Sequence, residues 1–169
     1  MKRNVLLMML VIFNTSWVRA NEVSKQKQAL QYFQAIKFFW NEKDGTLSNG
    51  NKGTRGHEKI FTDESLKHVK SLPNLRHLHL NHTSITDAGL VELEGLNQLE
   101  SIHLWGTRIS DAGLVHLAGL EKLQKLDLSW TQVKGPGLAH LGDLNRLQEL
   151  QLIGITITDE ALRHLVPLK

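Results

Sequence analysis

Residues 99–114 read LESIHLWGTRISDAGL, and residues 75–90 read LRHLHLNHTSITDAGL, the same pattern one period of 24 earlier. Stepping by that period gives Leu66, Leu90, Leu114, Leu138 and Leu162. Parallel columns run through Val69, Leu93, Leu117, Leu141 and Leu165, and through Leu72, Leu96, Leu120, Leu144 and Leu168. Three more start at Leu75, Leu78 and Leu80, and Phe61, Ile85, Ile109, Val133 and Ile157 make a seventh. Apolar positions held in register over about four periods are the signature of stacked structural repeats, each too small to bury its own apolar face.

The unit has two halves with different periods. Around Leu78-His79-Leu80 the spacing is two, which puts both leucines on one face of a short strand. Around Leu90 and Leu93 it is three, as on one side of a helical turn. Strands of successive units lie in parallel about 4.8 Å apart. Helices need more room, so the stack curves with its strands on the concave side. Asp63, Asp87, Asp111 and Asp159 precede the helical halves, where a carboxylate can accept from free helix N–H groups. Gly135-Pro136 takes that place in one unit, and proline is tolerated at a first helical position. The hydroxyls of Thr83, Thr107 and Thr131 are expected to bond the turn backbone of neighbouring units, a ladder that stops at Ile155.

The stretch from Leu99 to Leu114 resembles the L-x-x-L-x-L-x-x-T-x-I-T-D-x-G-L unit of bacterial leucine-rich-repeat proteins of planctomycete-like type. That unit is related to the cysteine-containing repeats of F-box adaptors. The resemblance covers residues ~60–169 and implies an α/β solenoid: a right-handed horseshoe arc with parallel strands on the concave face and short helices on the convex face. It also implies protein binding. His68, His116, His140 and His164, with Glu92 in the gap, match the G-L-x-H-L position of such repeats and read as structural. An F-box-like segment is not evident, so ubiquitin chemistry is not implied.

The ends read differently. Lys2 and Arg3 precede the unbroken apolar run Val5 to Phe13, and Val18-Arg19-Ala20 offers a cleavage site. That order is a secretory signal peptide over 1–20, cleaved near Ala20; a retained anchor is the rival, although the run is far shorter than the ~20 residues of a membrane span. The export segment also explains the formal +3 charge: 20 basic residues face 17 acidic ones, and Lys2, Arg3 and Arg19 leave with it. A neutral mature chain lacks the basic field that nucleic-acid binding relies on. No cysteine is present, which excludes disulfides and thiolate sites and suits a bacterial periplasm or exterior.

Residues 21–58 are expected to form an N-terminal cap, with 59–169 holding about four repeats and a partial last one. Ala29, Tyr32, Phe33, Ile36, Phe39 and Trp40 recur at helical spacing, predicting an amphipathic helix over ~25–42. A partner-binding or membrane-surface helix is the alternative. Asp44 to His57 reads as a loop and lacks the alternating acidic ligands of a calcium loop. The chain stops at Lys169, short of the leucine due at 171, which suggests either a short closing helix or a truncated product.

Candidate function falls on the non-leucine strand positions. One column reads His77, Ser101, Lys125, Glu149; the next reads His79, His103, Asp127, Gln151. Trp105 and Trp130 sit near the strand ends, where no core column needs them, either as binding anchors or packed on a loop. His79, His103 and Asp127 are the candidate ligands should a divalent metal bind, against the plainer reading of a hydrogen-bonded polar surface. The expectation is an exported, non-enzymatic, monomeric module without cofactor, binding a protein or peptide through these residues. A metal-responsive surface protein and a substrate-recognition adaptor are the alternatives.

Overall fold

A computed structural model describes residues 2–36 (2–18 by backbone alone), 38–48 and 61–165. Its centre is one sheet of six three-residue strands in sequence order: β1 (Phe39–Asn41), β2 (Thr46–Ser48), β3 (His77–His79), β4 (Ser101–His103), β5 (Lys125–Asp127) and β6 (Glu149–Gln151). From β2 onward every pair is parallel, and β3 to β6 are in register at the period of the repeat: Leu78, Ile102, Leu126 and Leu150 stand side by side. The helical halves are short: α2 (Asp63–Leu66), α3 (Asp87–Leu90) and α4 (Asp159–Arg163), with 3₁₀ turns at Val69–Ser71, Val91–Leu93, Asp111–Leu117 and Pro136–Leu141. The architecture is the leucine-rich-repeat solenoid, an α/β stack with its strands on the inner face.

Burial follows the columns. The apolar positions of the units from Leu66 to Leu147 are almost all inaccessible, forming one continuous core. The last unit is looser: Leu150, Leu152, Ile157 and Leu165 are half-buried and Leu162 is exposed, while Leu168 lies outside the described residues.

The N-terminal segment differs from expectation. Helix α1 (Lys2–Ala35) ends before Ile36, so the helix predicted to ~42 is cut short, and Trp40 belongs to a strand. β1 and β2 form an antiparallel hairpin that adds two strands to the sheet. The aromatic run Phe38-Phe39-Trp40 explains this, because extended backbone points alternate rings to opposite faces. Phe38 is fully buried, and Trp40 pairs with Leu47 on the core side. Part of the segment expected as a loop is therefore strand, and 49–60 lie outside the described residues. The hairpin turn requires Gly45: its φ is +71°, and a Cβ there would lie 2.2 Å from the Asn74 carbonyl oxygen. The Gly45 carbonyl in turn accepts from the N–H groups of Arg76 and His77, joining the hairpin to the first repeat. The end of α1 packs on that repeat: Ala29 and Phe33 are buried, Tyr32 stacks on His68, and its hydroxyl lies 2.9 Å from Ser65 Oγ.

Two expectations about turn chemistry are corrected. The threonine hydroxyls do not bridge units. Thr83, Thr107 and Thr131 each donate to a carbonyl three residues back in their own turn, those of Leu80, Leu104 and Leu128. The spacing of three closes such a turn locally, and Ile155 replaces it by packing against the core. The aspartates do not mainly serve their own helices either. Three of the four carboxylates reach into the following unit: Asp63 accepts from the N–H and hydroxyl of Thr86, and Asp87 from those of Ser110. Asp111 accepts three N–H groups, of Lys134, Gly135 and Gly137. This clamp explains Gly89, Gly113 and Gly137, each of which sits against the aspartate of the preceding unit. A Cβ on Gly89 would meet Asp63 Oδ1 at 2.4 Å, and one on Gly113 would meet Asp87 Oδ1 at 2.3 Å.

Candidate functional site: the concave face and its downstream edge

The parallel register fixes two polar rows on the inner face. His77, Ser101, Lys125 and Glu149 form the first; His79, His103, Asp127 and Gln151 form the second. Both lie on the side opposite the Leu78 row because strand side chains alternate. The hairpin extends the face: Phe39 and Ser48 pair across β1 and β2, and Phe39 is 60% exposed. An aromatic triplet was the only sequence signal for it, absorbed into the helix expected there.

Within the rows the contacts are specific. His77 Nδ1 lies 2.9 Å from Ser101 Oγ. The rings of His79 and His103 meet edge to face, with centroids 4.5 Å apart. Lys125 Nζ lies 3.0 Å from a Glu149 carboxylate oxygen, and Gln151 donates to the same carboxylate at 2.5 Å. The Lys125 hydrogen bond, then that from Gln151, holds the Glu149 carboxyl below the usual range. Asp127 accepts from the Ser129 N–H at 2.9 Å. Burial pushes His103 below the usual imidazole range, with Lys125 and His77 adding to it and Asp127 and Glu149 opposing.

His79, His103 and Asp127 share a row but do not converge on a point. Among the described residues no group of three or more His, Cys, Asp or Glu side chains is placed to hold a metal ion. His77 and Ser101 stand at the distance of a base and a hydroxyl, but among the contacts of the described residues no carboxylate orients the His77 ring.

The strand ends carry the apolar part of the surface. Trp105 is half-buried, its ring centroid 4.2 Å from that of His82, and its backbone N–H donates to Asn81 Oδ1. One position further on, the backbone turns left-handed in every unit: φ is +56° at His82, +69° at Gly106, +56° at Trp130 and +72° at Gly154. For a residue with a Cβ that conformation costs about 1–2 kcal/mol. The two glycines are where a neighbouring ring lies down. A Cβ on Gly106 would sit 2.8 Å from His82 Nδ1, and one on Gly154 only 2.5 Å from Trp130 Cδ2. One face of the Trp130 indole therefore rests on Gly154, yet the residue remains 60% exposed. Ile153, 65% exposed, continues the patch. It stands in the column of Asn81, Trp105 and Ser129, where an isolated apolar residue was the signal available in the sequence.

Residues 73–133 match the family model of the leucine rich repeat. Among solved structures, an internalin (inlF) from Listeria monocytogenes superposes with a TM-score of 0.53 at 26% identity, over 62% of this chain and 30% of that one. Internalin C2 from the same organism matches with a TM-score of 0.43 at 26% identity, over 73% and 58%. This chain thus spans under a third of the inlF chain. No curated protein matches. These findings correct the kinship suggested by the T-D-x-G-L motif: they match the general repeat and an internalin, with no planctomycete-type or F-box repeat among them, and the chain has no cysteine. The motif follows from the aspartate clamp and its glycine, a geometric demand of stacking rather than a mark of lineage. Among the described residues no helix is long and apolar enough to cross a membrane.

Proposed function

We propose that this chain is an exported interaction module that binds a protein or peptide across its concave face and downstream edge. Trp130 carries the reading. A core role would bury the indole, and a turn role would place glycine or asparagine at that φ. Instead the fold holds a large aromatic in a strained conformation, supports it on Gly154 and leaves it exposed. Strained backbone persists where the surroundings impose it, and such positions gather at binding sites. Rigid, exposed tryptophan is the residue type most often found to anchor interfaces. His77, His79, His103, Trp105, Lys125, Asp127, Glu149 and Gln151 complete the surface, whose mixed charge suits a protein better than a polyanion. The neutral balance left after removal of 1–20 argues in the same direction.

Trp130→Ala should weaken binding of a partner captured from the native envelope fraction by about 2 kcal/mol, some thirty-fold in Kd. Calorimetry with that partner checks it, and unchanged affinity would remove Trp130 from the surface. The division into a signal segment (1–20), a cap (21–58) and repeats (59–169) belongs to the same reading. Every capping contact named above comes from residues after Ala20, so cleavage leaves the cap whole. N-terminal sequencing of the protein from an expressing bacterium should begin at Asn21; a retained Met1 refutes export by cleavage.

A further inference from the structure

Each unit of the stack bonds the next through the same backbone groups. The N–H groups of Leu80 and His82 donate to the carbonyls of His103 and Trp105, and those of Leu104 and Gly106 to Asp127 and Ser129. Those of Leu128 and Trp130 donate to Gln151 and Ile153. In the other direction the carbonyls of Arg76, Glu100 and Gln124 accept from the following strand. The corresponding groups of the last unit are the N–H groups of Leu152 and Gly154 and the carbonyl of Gln148; among the described residues nothing bonds them. Because backbone groups alternate in direction along a strand, the N–H and C=O of Leu150 point to the same open edge of β6. The apolar columns are open there too. Leu78, Ile102 and Leu126 are buried where Leu150 is half-buried, and on α4 Leu162 is 46% exposed.

We infer that this edge is an interface between two copies of the chain: β6 pairs antiparallel with β6 of a second copy about a two-fold axis at Leu150, in place of the monomer expected from the sequence. The open groups are self-complementary in that register. Leu150 exchanges both its bonds with Leu150 of the second copy. Gln148 and Leu152 lie equally far from Leu150, so each Leu152 N–H meets the other copy's Gln148 carbonyl. The side chains agree with this register. Leu150 packs on its counterpart on the core side, and on the inner face each Glu149 comes opposite a Gln151, so like charges do not meet across the seam. On the outer face the axis turns α4 antiparallel to its counterpart. That sets its acidic first turn, with Asp159 and Glu160, toward the basic last turn with Arg163. An added peptide strand satisfies the backbone of β6 but leaves Leu162 and the helical half open, whereas a second copy covers both layers. Head-to-tail stacking lacks a match, because the other edge of the sheet is β1, which runs against β2 to β6.

Sedimentation equilibrium of the full chain between about 1 and 100 μM should show a reversible monomer–dimer equilibrium. Leu152→Pro removes a donor of the open edge, and proline is tolerated where the N–H faces outward from an edge strand. With native circular dichroism retained, that variant should dimerise at least ten-fold more weakly. A second variant reads the seam directly. The chain has no cysteine, so Leu150→Cys gives one thiol per copy. Hydrogen-bonded antiparallel partners have Cα atoms about 5.5 Å apart, within reach of a disulfide. Mild oxidation should convert this variant to a covalent dimer, while Glu121→Cys, on an exposed turn, stays largely monomeric. A chain that remains monomeric throughout, a dimer of equal strength in Leu152→Pro, or equal cross-linking of the two cysteine variants overturns the inference. Protection of the Leu152 and Gly154 amides from hydrogen exchange in the monomer also overturns it, assigning the edge to residues of the same chain.

Discussion

Gly137→Ala is expected to destabilise the chain by about 3 kcal/mol, the upper part of the range for forcing atoms into a packed site. The added Cβ would lie 2.5 Å from the carbonyl oxygen of Asp111, 2.7 Å from its Cα and 2.9 Å from its Cβ. Those are backbone and near-backbone atoms, so no flexible side chain can swing clear. The Gly137 N–H is also bonded to Asp111 Oδ1, and relief of the clash pulls that bond apart. In a chain of this size the loss corresponds to a fall in Tm on the order of 10 °C. Gly119→Ala is the matched control: nothing lies within 4 Å of the added atom. It should be neutral or stabilising by about 0.5 kcal/mol, through the unfolded state. Urea denaturation of the two variants beside the parent decides the matter, and equal midpoints would refute the crowding argument.

Asp111→Ala should cost a similar amount for a different reason. The carboxylate accepts from three successive donors of the next unit, the N–H groups of Lys134, Gly135 and Gly137. Pro136 has no N–H, so one side chain answers every backbone donor of that turn. Hydrogen bonds to a charged acceptor contribute about 1.5–3 kcal/mol each, reduced here because water can reach Lys134, which is exposed. About 3 kcal/mol is the expected total. Asp159→Ala should lose well under 1 kcal/mol, since that exposed aspartate acts only through the α4 terminus. Amide hydrogen exchange provides the finer check: in Asp111→Ala the Gly135 and Gly137 amides should exchange faster while those of Leu104 and Leu126 stay protected.

The repeat was legible because period and burial are the same fact seen twice. The leucines that must face inward recur wherever the backbone returns to the same height, so columns in the sequence became columns in the core. Register followed from it: His77, Ser101, Lys125 and Glu149 were placed side by side by counting alone. What counting could not supply was direction. Asp87 stands before its own helix, and proximity in sequence suggested capping there. Its actual partners lie 23 residues on, because a carboxylate at the stack's edge is nearer to the following turn than to its own. Thr107 misled in the opposite sense, bonding its own turn where a bridge between units was expected. The hairpin was missed because Ala29, Tyr32, Phe33 and Ile36 keep helical spacing and the aromatic run continues it; only Gly45, which the hairpin turn demands, breaks the pattern. At the candidate site, the tryptophans were visible as residues without a core task. The left-handed column that turns Trp130 into a platform is a property of backbone angles, which the sequence displays only as the alternation of His82, Gly106, Trp130 and Gly154.

The aspartate clamp has a bearing on how such a chain can change over time. Its carboxylate is in one unit and its donors are in the next, so a cut anywhere between them separates the two halves. Among the units that carry the aspartate, a copied or removed segment of 24 residues nevertheless leaves each junction with one carboxylate facing one set of donors; the joint that follows Gly135 has no such clamp. Gain or loss of whole units is therefore structurally silent at the joints, while a shift of a single residue breaks the joint at which it falls. Length can vary in steps, and the surface that meets a partner can be lengthened without redesigning the bonds beneath it.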